Sequence, residues 1–148
     1  MTPTENIISD IRAFNRFYTS VVGLLDKHIL ESPYSLSEAR VLFEINKLHP
    51  CTAKQVKDAM HIDEGYLSRI IDKFIKRGLV KKNKSSADGR VHFLSLTEEG
   101  RIEFAELDSA SASEVTSLLK SLSSDEKEQL AHHLKCVQLT LSKTLQAK

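Results

Sequence analysis

Residues 52–80 read TAKQVKDAMHIDEGYLSRIIDKFIKRGLV, and their punctuation decides the fold. Thr52 and Gln55 stand at capping-box spacing: the Thr hydroxyl accepts from the third helical N–H and the Gln reaches back to the cap. Val56, Ala59 and Met60 supply the apolar side of the short helix that follows, and Ile62 lies in the turn beyond it. Asp63 is a good N-cap for the next helix. The apolar residues of that helix, Leu67, Ile70, Ile71 and Phe74, recur at i, i+3, i+4 and i+7. Gly78, directly after Arg77, suits a left-handed helix end with a cation near the last carbonyls. Two short helices around a tight turn make a helix-turn-helix.

Working outward, the period changes on the C-terminal side. Residues 79–83 and 91–96 read as two short strands, and Ser85-Ser86-Ala87-Asp88-Gly89 between them is a turn-forming loop, so the pair is a β-hairpin. Thr97 caps a fifth helix, with Glu98 and Glu99 placed well for its dipole. Phe104, Leu107, Val115, Leu118, Leu119 and Leu122 carry the face of that helix. Ser123 and Glu126 form another capping box, followed by Leu130, Leu134, Val137, Leu141 and Leu145 at spacings of four and three. On the N-terminal side, Ile7, Ile11, Phe14, Tyr18, Val21 and Leu25 form a heptad-like seam on one long helix over 5–30, which Ser32-Pro33 breaks. Ser35 and Glu38 start the next helix, with Ala39, Leu42, Phe43 and Ile45 as its apolar residues, and His49-Pro50 ends it. The expected fold is mainly α with a small β-hairpin wing.

The chain has 148 residues and a net charge of +1. Its composition is that of a globular chain, no apolar run reaches a membrane-spanning length, and the start lacks a secretory pattern. The expected compartment is a reducing cytoplasm, with Cys51 and Cys136 free. The near-zero total conceals a strong asymmetry. Residues 54–96 carry ten basic and five acidic groups, a net +5; residues 1–53 have a net −1 and residues 97–148 a net −3. A local basic patch binds phosphate backbones whatever the total, while the bland reading of the same patch is a solvated lysine face.

In a helix-turn-helix the second helix enters the major groove, its N-terminal residues meeting base edges. The face opposite the apolar residues carries Glu64, Gly65, Ser68, Arg69, Asp72, Lys73 and Lys76. Ser68 and Arg69 are the base-edge candidates, because Arg can be bidentate to guanine. Lys73 and Lys76 suit phosphate contacts. The hairpin, with Lys81, Lys82, Lys84 and Arg90, makes a basic wing whose Arg can enter a narrow minor groove. Lys54 and Tyr66 complete the surface expected to face DNA.

DEGYLSRIIDKFIKRGLV at 63–80, DGR at 88–90 and LTEEG at 96–100 resemble the multiple-antibiotic-resistance regulator (MarR) family, together with SLSEARVLFEI at 35–45. The resemblance implies a winged helix-turn-helix repressor or activator that works as a homodimer on a pseudo-palindromic site in double-stranded DNA. It implies that Asp88 orients Arg90 for the minor groove, with Ser68 and Arg69 in the major groove. Tyr66 is bulky where many members carry a smaller residue. Residues 35–100 would be the DNA-binding domain, and 1–34 with 101–148 a helical dimerisation region. An intramolecular helical bundle is the alternative use of those seams.

The resemblance also implies a small aromatic or stress-related effector, for which Phe14, Phe17, Tyr18, Tyr34 and Phe43 could line a pocket; an aromatic stripe at helical spacing also serves as core. No cofactor or metal is expected. No nucleophile elbow, phosphate-cradling loop or zinc spacing occurs, so an enzyme is not expected. Two other readings stay open: a winged-helix protein-interaction module, and a metal- or redox-responsive sensor using Cys51 or the scattered histidines.

Overall fold

The computed structural model describes residues 1–146. The chain divides into two compact units, Met1–Glu114 and Val115–Lys148. The first holds α1 (Pro3–Leu25), α2 (Lys27–Glu31), α3 (Leu36–Leu48), α4 (Ala53–Met60), α5 (Glu64–Lys76), β1 (Val80–Lys84), β2 (His92–Leu96) and most of α6 (Glu98–Leu119). The second holds the last turn of α6 and α7 (Ser124–Gln146).

Each helix start expected from a capping pair is made as chemistry requires. Ser35 with Glu38, Thr52 with Gln55 and Ser123 with Glu126 exchange reciprocal hydrogen bonds, and Thr2 does the same with Glu5 ahead of α1. Asp63 accepts from the Tyr66 N–H at 2.9 Å. Gly78 takes φ +76° and closes α5, with the Leu79 N–H returning to the Phe74 carbonyl. That return bond delays the first strand by one residue relative to the expected 79–83.

β1 and β2 pair antiparallel, with Val80 opposite Leu96 and Lys84 opposite His92. Cys51 adds a bridge beside Leu94, so the wing is tied by its backbone to the start of the helix-turn-helix. The core of the first unit gathers Val41, Leu42 and Ile45 from α3, Val56 from α4, Leu67, Ile70, Ile71 and Phe74 from α5, and Leu94 and Leu96 from the wing. Leu107 of α6 joins them. This core presses the inner face of α5 inward and leaves its outer face in solvent.

The long N-terminal helix is interrupted at Asp26, where α1 ends and α2 begins. The His28 N–H there is taken by the Glu114 carboxylate at 2.7 Å, a partner 86 residues away. No residue of α1, and none of the described residues of α7, is buried within this single chain.

Candidate nucleic-acid interface

The outer face of α5 exposes Gly65, Ser68, Arg69, Lys73 and Lys76. Arg69 lies over the Tyr66 ring, 5.9 Å from its centroid, so Tyr66 packs against the candidate base reader. Such stacking limits the freedom of a guanidinium before it reaches a base. Between α5 and the wing runs a cleft of about 630 Å3. Its lining brings together Lys54 from α4, Ser68 from α5, Lys82 from β1 and Arg90 from the wing loop. Lys57 and His92 also line it, although neither was among the residues expected at the interface. The signal for Lys57 was present, because it follows Lys54 by one helical step of three. Lys57 pairs with Glu64 at 3.7 Å.

The remaining expected residues are placed as follows. Lys84 lies at the end of β1 and is exposed. In the wing turn the Asp88 carboxylate accepts from the Arg90 backbone N–H at 3.0 Å and from its Nε at 3.3 Å. This geometry orients Arg90, whose side chain is 92% exposed. Lys73 is half exposed, and its ammonium donates to Glu38 of α3. Glu38 is buried. Burial would raise its carboxyl, but the Lys73 hydrogen bond and the Ser35 cap outweigh that and hold it below the ordinary glutamate value.

The candidate effector residues do not share one place. Phe43 lines a separate cavity of about 460 Å3 between α3 and α6, together with Phe104, Leu107, Met60 and Arg40. Tyr34 is in the core, its hydroxyl donating to Glu103 at 3.0 Å and its ring under Arg77. Burial and the Glu103 carboxylate raise that hydroxyl's pKa. Phe14 and Tyr18 stack on each other along α1, outside that cavity, and Phe17 is exposed. Cys51 is fully buried, donates to the Leu94 carbonyl at 3.9 Å, and has its thiol pushed up by burial and by Glu44. A buried thiol held in the neutral form is a poor nucleophile. Among the described residues no group of three or more His, Cys, Asp or Glu is arranged to hold a metal ion. No described helix is long and apolar enough to cross a membrane.

The helix-turn-helix, its basic outer face and the charged wing define a winged helix-turn-helix protein of the DNA-binding transcription-regulator class. The MarR family matches over residues 34–92. It is similar to the HTH-type transcriptional regulator BilQ of Clostridium symbiosum, 30% identical over 86 residues. That match covers 58% of this chain and 60% of BilQ. It is also similar to the HTH-type transcriptional regulator MhqR of Bacillus subtilis, 26% identical over 92% of this chain and 94% of MhqR. Among solved structures, a mutant of MarR from E. coli complexed with operator DNA matches with a TM-score of 0.74 and 22% identity, over 93% of this chain and 99% of that one. BpsR of Bordetella bronchiseptica, whose DNA binding is regulated by 6-hydroxynicotinic acid, matches with a TM-score of 0.71 and 21% identity, over 86% of this chain and 91% of that one. At these identities the two structures establish the fold.

Proposed function

We propose that two copies of this chain bind one pseudo-palindromic operator in the cytoplasm and regulate transcription from it. Each copy lays α5 in a major groove and places Arg90 in the adjacent minor groove. Ser68 and Arg69 read base edges. Lys54, Lys76, Lys82 and Lys84 hold phosphates. Residues 35–100 are the DNA-binding domain in this reading, and 1–34 with 101–148 the dimerisation region. The observation that carries it is the cleft in which Lys54, Ser68, Lys82 and Arg90 converge from four segments of chain on one side of the molecule. A merely solvated lysine face has no reason to gather a polar base-reading candidate and three cations around one groove.

A small molecule in the cavity between α3 and α6 switches the regulator. α3 lines that cavity through Phe43 and Arg40 and holds α5 through Glu38. An occupant that shifts α3 therefore shifts the recognition helix, and the two helices of the dimer then no longer match two successive major grooves. BpsR supports the reading as a ligand-regulated protein of the same fold.

Selection of bound duplexes from a random pool tests the proposal. The expected product is an inverted repeat with half-sites about one helical turn apart. Recovery of unrelated sequences, or no retention of duplex at physiological salt, overturns it.

A further inference from the structure

The cavity between α3 and α6 carries a charge that the effector reading leaves unused. Its apolar wall is built by Phe43, Phe104 and Met60. At one end stands Asp26, at the junction of α1 and α2, whose side chain caps no helical N–H. The Asp26 carboxyl is pushed above the ordinary aspartate value by burial and then by the neighbouring Glu114 carboxylate. One Glu114 oxygen accepts the His28 N–H, and the other is buried without a hydrogen-bond partner. Asp108 lines the same cavity and forms no ion pair among the described residues. The lining's one cation, Arg40, is already held by Glu44 at 2.8 Å.

An anionic occupant would set its charge against Asp26 and Asp108, and the one cation the lining offers, Arg40, already has its charge balanced by Glu44. A cation would relieve both carboxylates, and opposite charges in a partly desolvated site attract more strongly than in water. The two aromatic rings favour an aromatic group beside them. The volume suits a small ligand. We infer that this cavity takes a small amphipathic cation, an aromatic amine in chemical class, with its charged head at Asp26 and its ring against Phe43 and Phe104. The inference rests on the cavity being the effector site and specifies the charge of what enters it.

Three probes that share one ring system separate the two ideas: 2-naphthylmethylamine, 2-naphthylmethanol and 2-naphthoate, each titrated calorimetrically into the full chain. The amine is expected to bind about tenfold tighter than the alcohol, with the carboxylate weakest. Asp26→Asn is expected to bring the amine down to the alcohol's affinity and leave the alcohol unchanged. Ala39→Phe, which fills the cavity, is expected to abolish binding of all three. Naphthoate binding as tightly as the amine overturns the charge inference and leaves the effector cavity standing. Binding of all three that survives Ala39→Phe, or binding by none, overturns the cavity reading and the inference with it. The probe series on the unaltered chain decides the charge question even where a variant fails to fold.

Discussion

Lys73 occupies the outer face of α5, where a lysine ordinarily reaches for phosphate, yet its ammonium is committed to the buried Glu38. Removing it leaves a carboxylate that is 10% exposed without its cation. Lys73→Ala is therefore expected to destabilise the fold by about 1–2 kcal/mol, less than a fully buried pair would lose because the lysine is half exposed. Lys82→Ala, with no ion pair among the described residues, is expected to leave the melting temperature unchanged and to flatten the salt dependence of DNA binding by about one phosphate contact. Equal melting temperatures for the two variants would show that the Glu38 contact carries no stability. The same pair sets a pH dependence. The Glu38 carboxyl is lower in the folded chain than its ordinary value of 4.5, so the folded state binds fewer protons there than the unfolded one. Its stabilisation is complete above pH 4.5 and is lost as the pH falls through the depressed value. Melting curves of the parent and Glu38→Gln are expected to converge below pH 4.5; a constant gap down to the acid limit refutes this. In the wing, Asp88 and Arg90 form an exposed pair of little value to stability. Asp88→Ala is expected to keep the melting temperature and to weaken operator binding about tenfold, worth ~1.4 kcal/mol, because Arg90 loses the carboxylate that aims it. Arg90→Ala is expected to lose more, and unchanged affinity in both variants would remove the wing from the interface.

Elements are held by closer fits than side-chain pattern discloses. α6 begins against the end of α5: the Thr97 hydroxyl donates to the Gly78 carbonyl at 2.6 Å and accepts from the Gly100 N–H at 3.0 Å. A methyl built on Gly100 runs into the Leu79 carbonyl, which is backbone and cannot rotate away. Gly100→Ala is expected to cost about 1–3 kcal/mol or more by overpacking. A methyl on Gly89 in the wing meets nothing, so Gly89→Ala is the matched control. Thermal denaturation of the two variants checks this, and an unchanged midpoint for Gly100→Ala would mean that α6 relaxes freely. LTEEG at 96–100 was legible as a capped helix start, because capping is a matter of residues three apart. The same locality made α4, α5 and the hairpin readable, and with them Ser68, Arg69 and Arg90 as exposed residues on one side. What was not readable depends on partners far along the chain. The Asp26 break needs Glu114, the Lys73 tether needs Glu38, and the buried place of Tyr34 needs Glu103. Periodicity cannot signal any of these, since it reports which face of a helix is apolar and not what packs there. The cavity proposed for the effector was half visible for that reason: Phe43, expected to line a pocket, does line this one, while its acidic end left no mark in the periodicity.

At the scale of the whole molecule the charge and the apolar surface are divided between different regions. The net +5 sits in residues 54–96, while α1 and α7 carry most of the large exposed apolar residues. On α1, Ile7, Ile11, Phe14 and Phe17 are each 46–65% exposed, and on α7 Val137, Leu141 and Leu145 are 44–55% exposed. Exposed apolar rows of this size ordinarily mark a contact surface. A second copy satisfies them with the least further assumption, because a two-fold contact lets one surface serve twice. It also doubles the basic face and lets two recognition helices meet two half-sites. The requirement is strict: a monomer with only one α5 holds a single half-site and makes half of the phosphate contacts. Sedimentation is therefore expected to give twice the 16.7 kDa chain mass. Ile11→Glu combined with Leu141→Glu is expected to return the chain to 16.7 kDa. The same double variant should keep the melting behaviour of its winged domain and lose operator binding by about a hundredfold or more, since it forfeits the second half-site contact. A double variant that still runs at twice the chain mass places the dimer contact elsewhere. One that is monomeric but binds the inverted repeat as tightly as the parent overturns the coupling between dimerisation and DNA recognition.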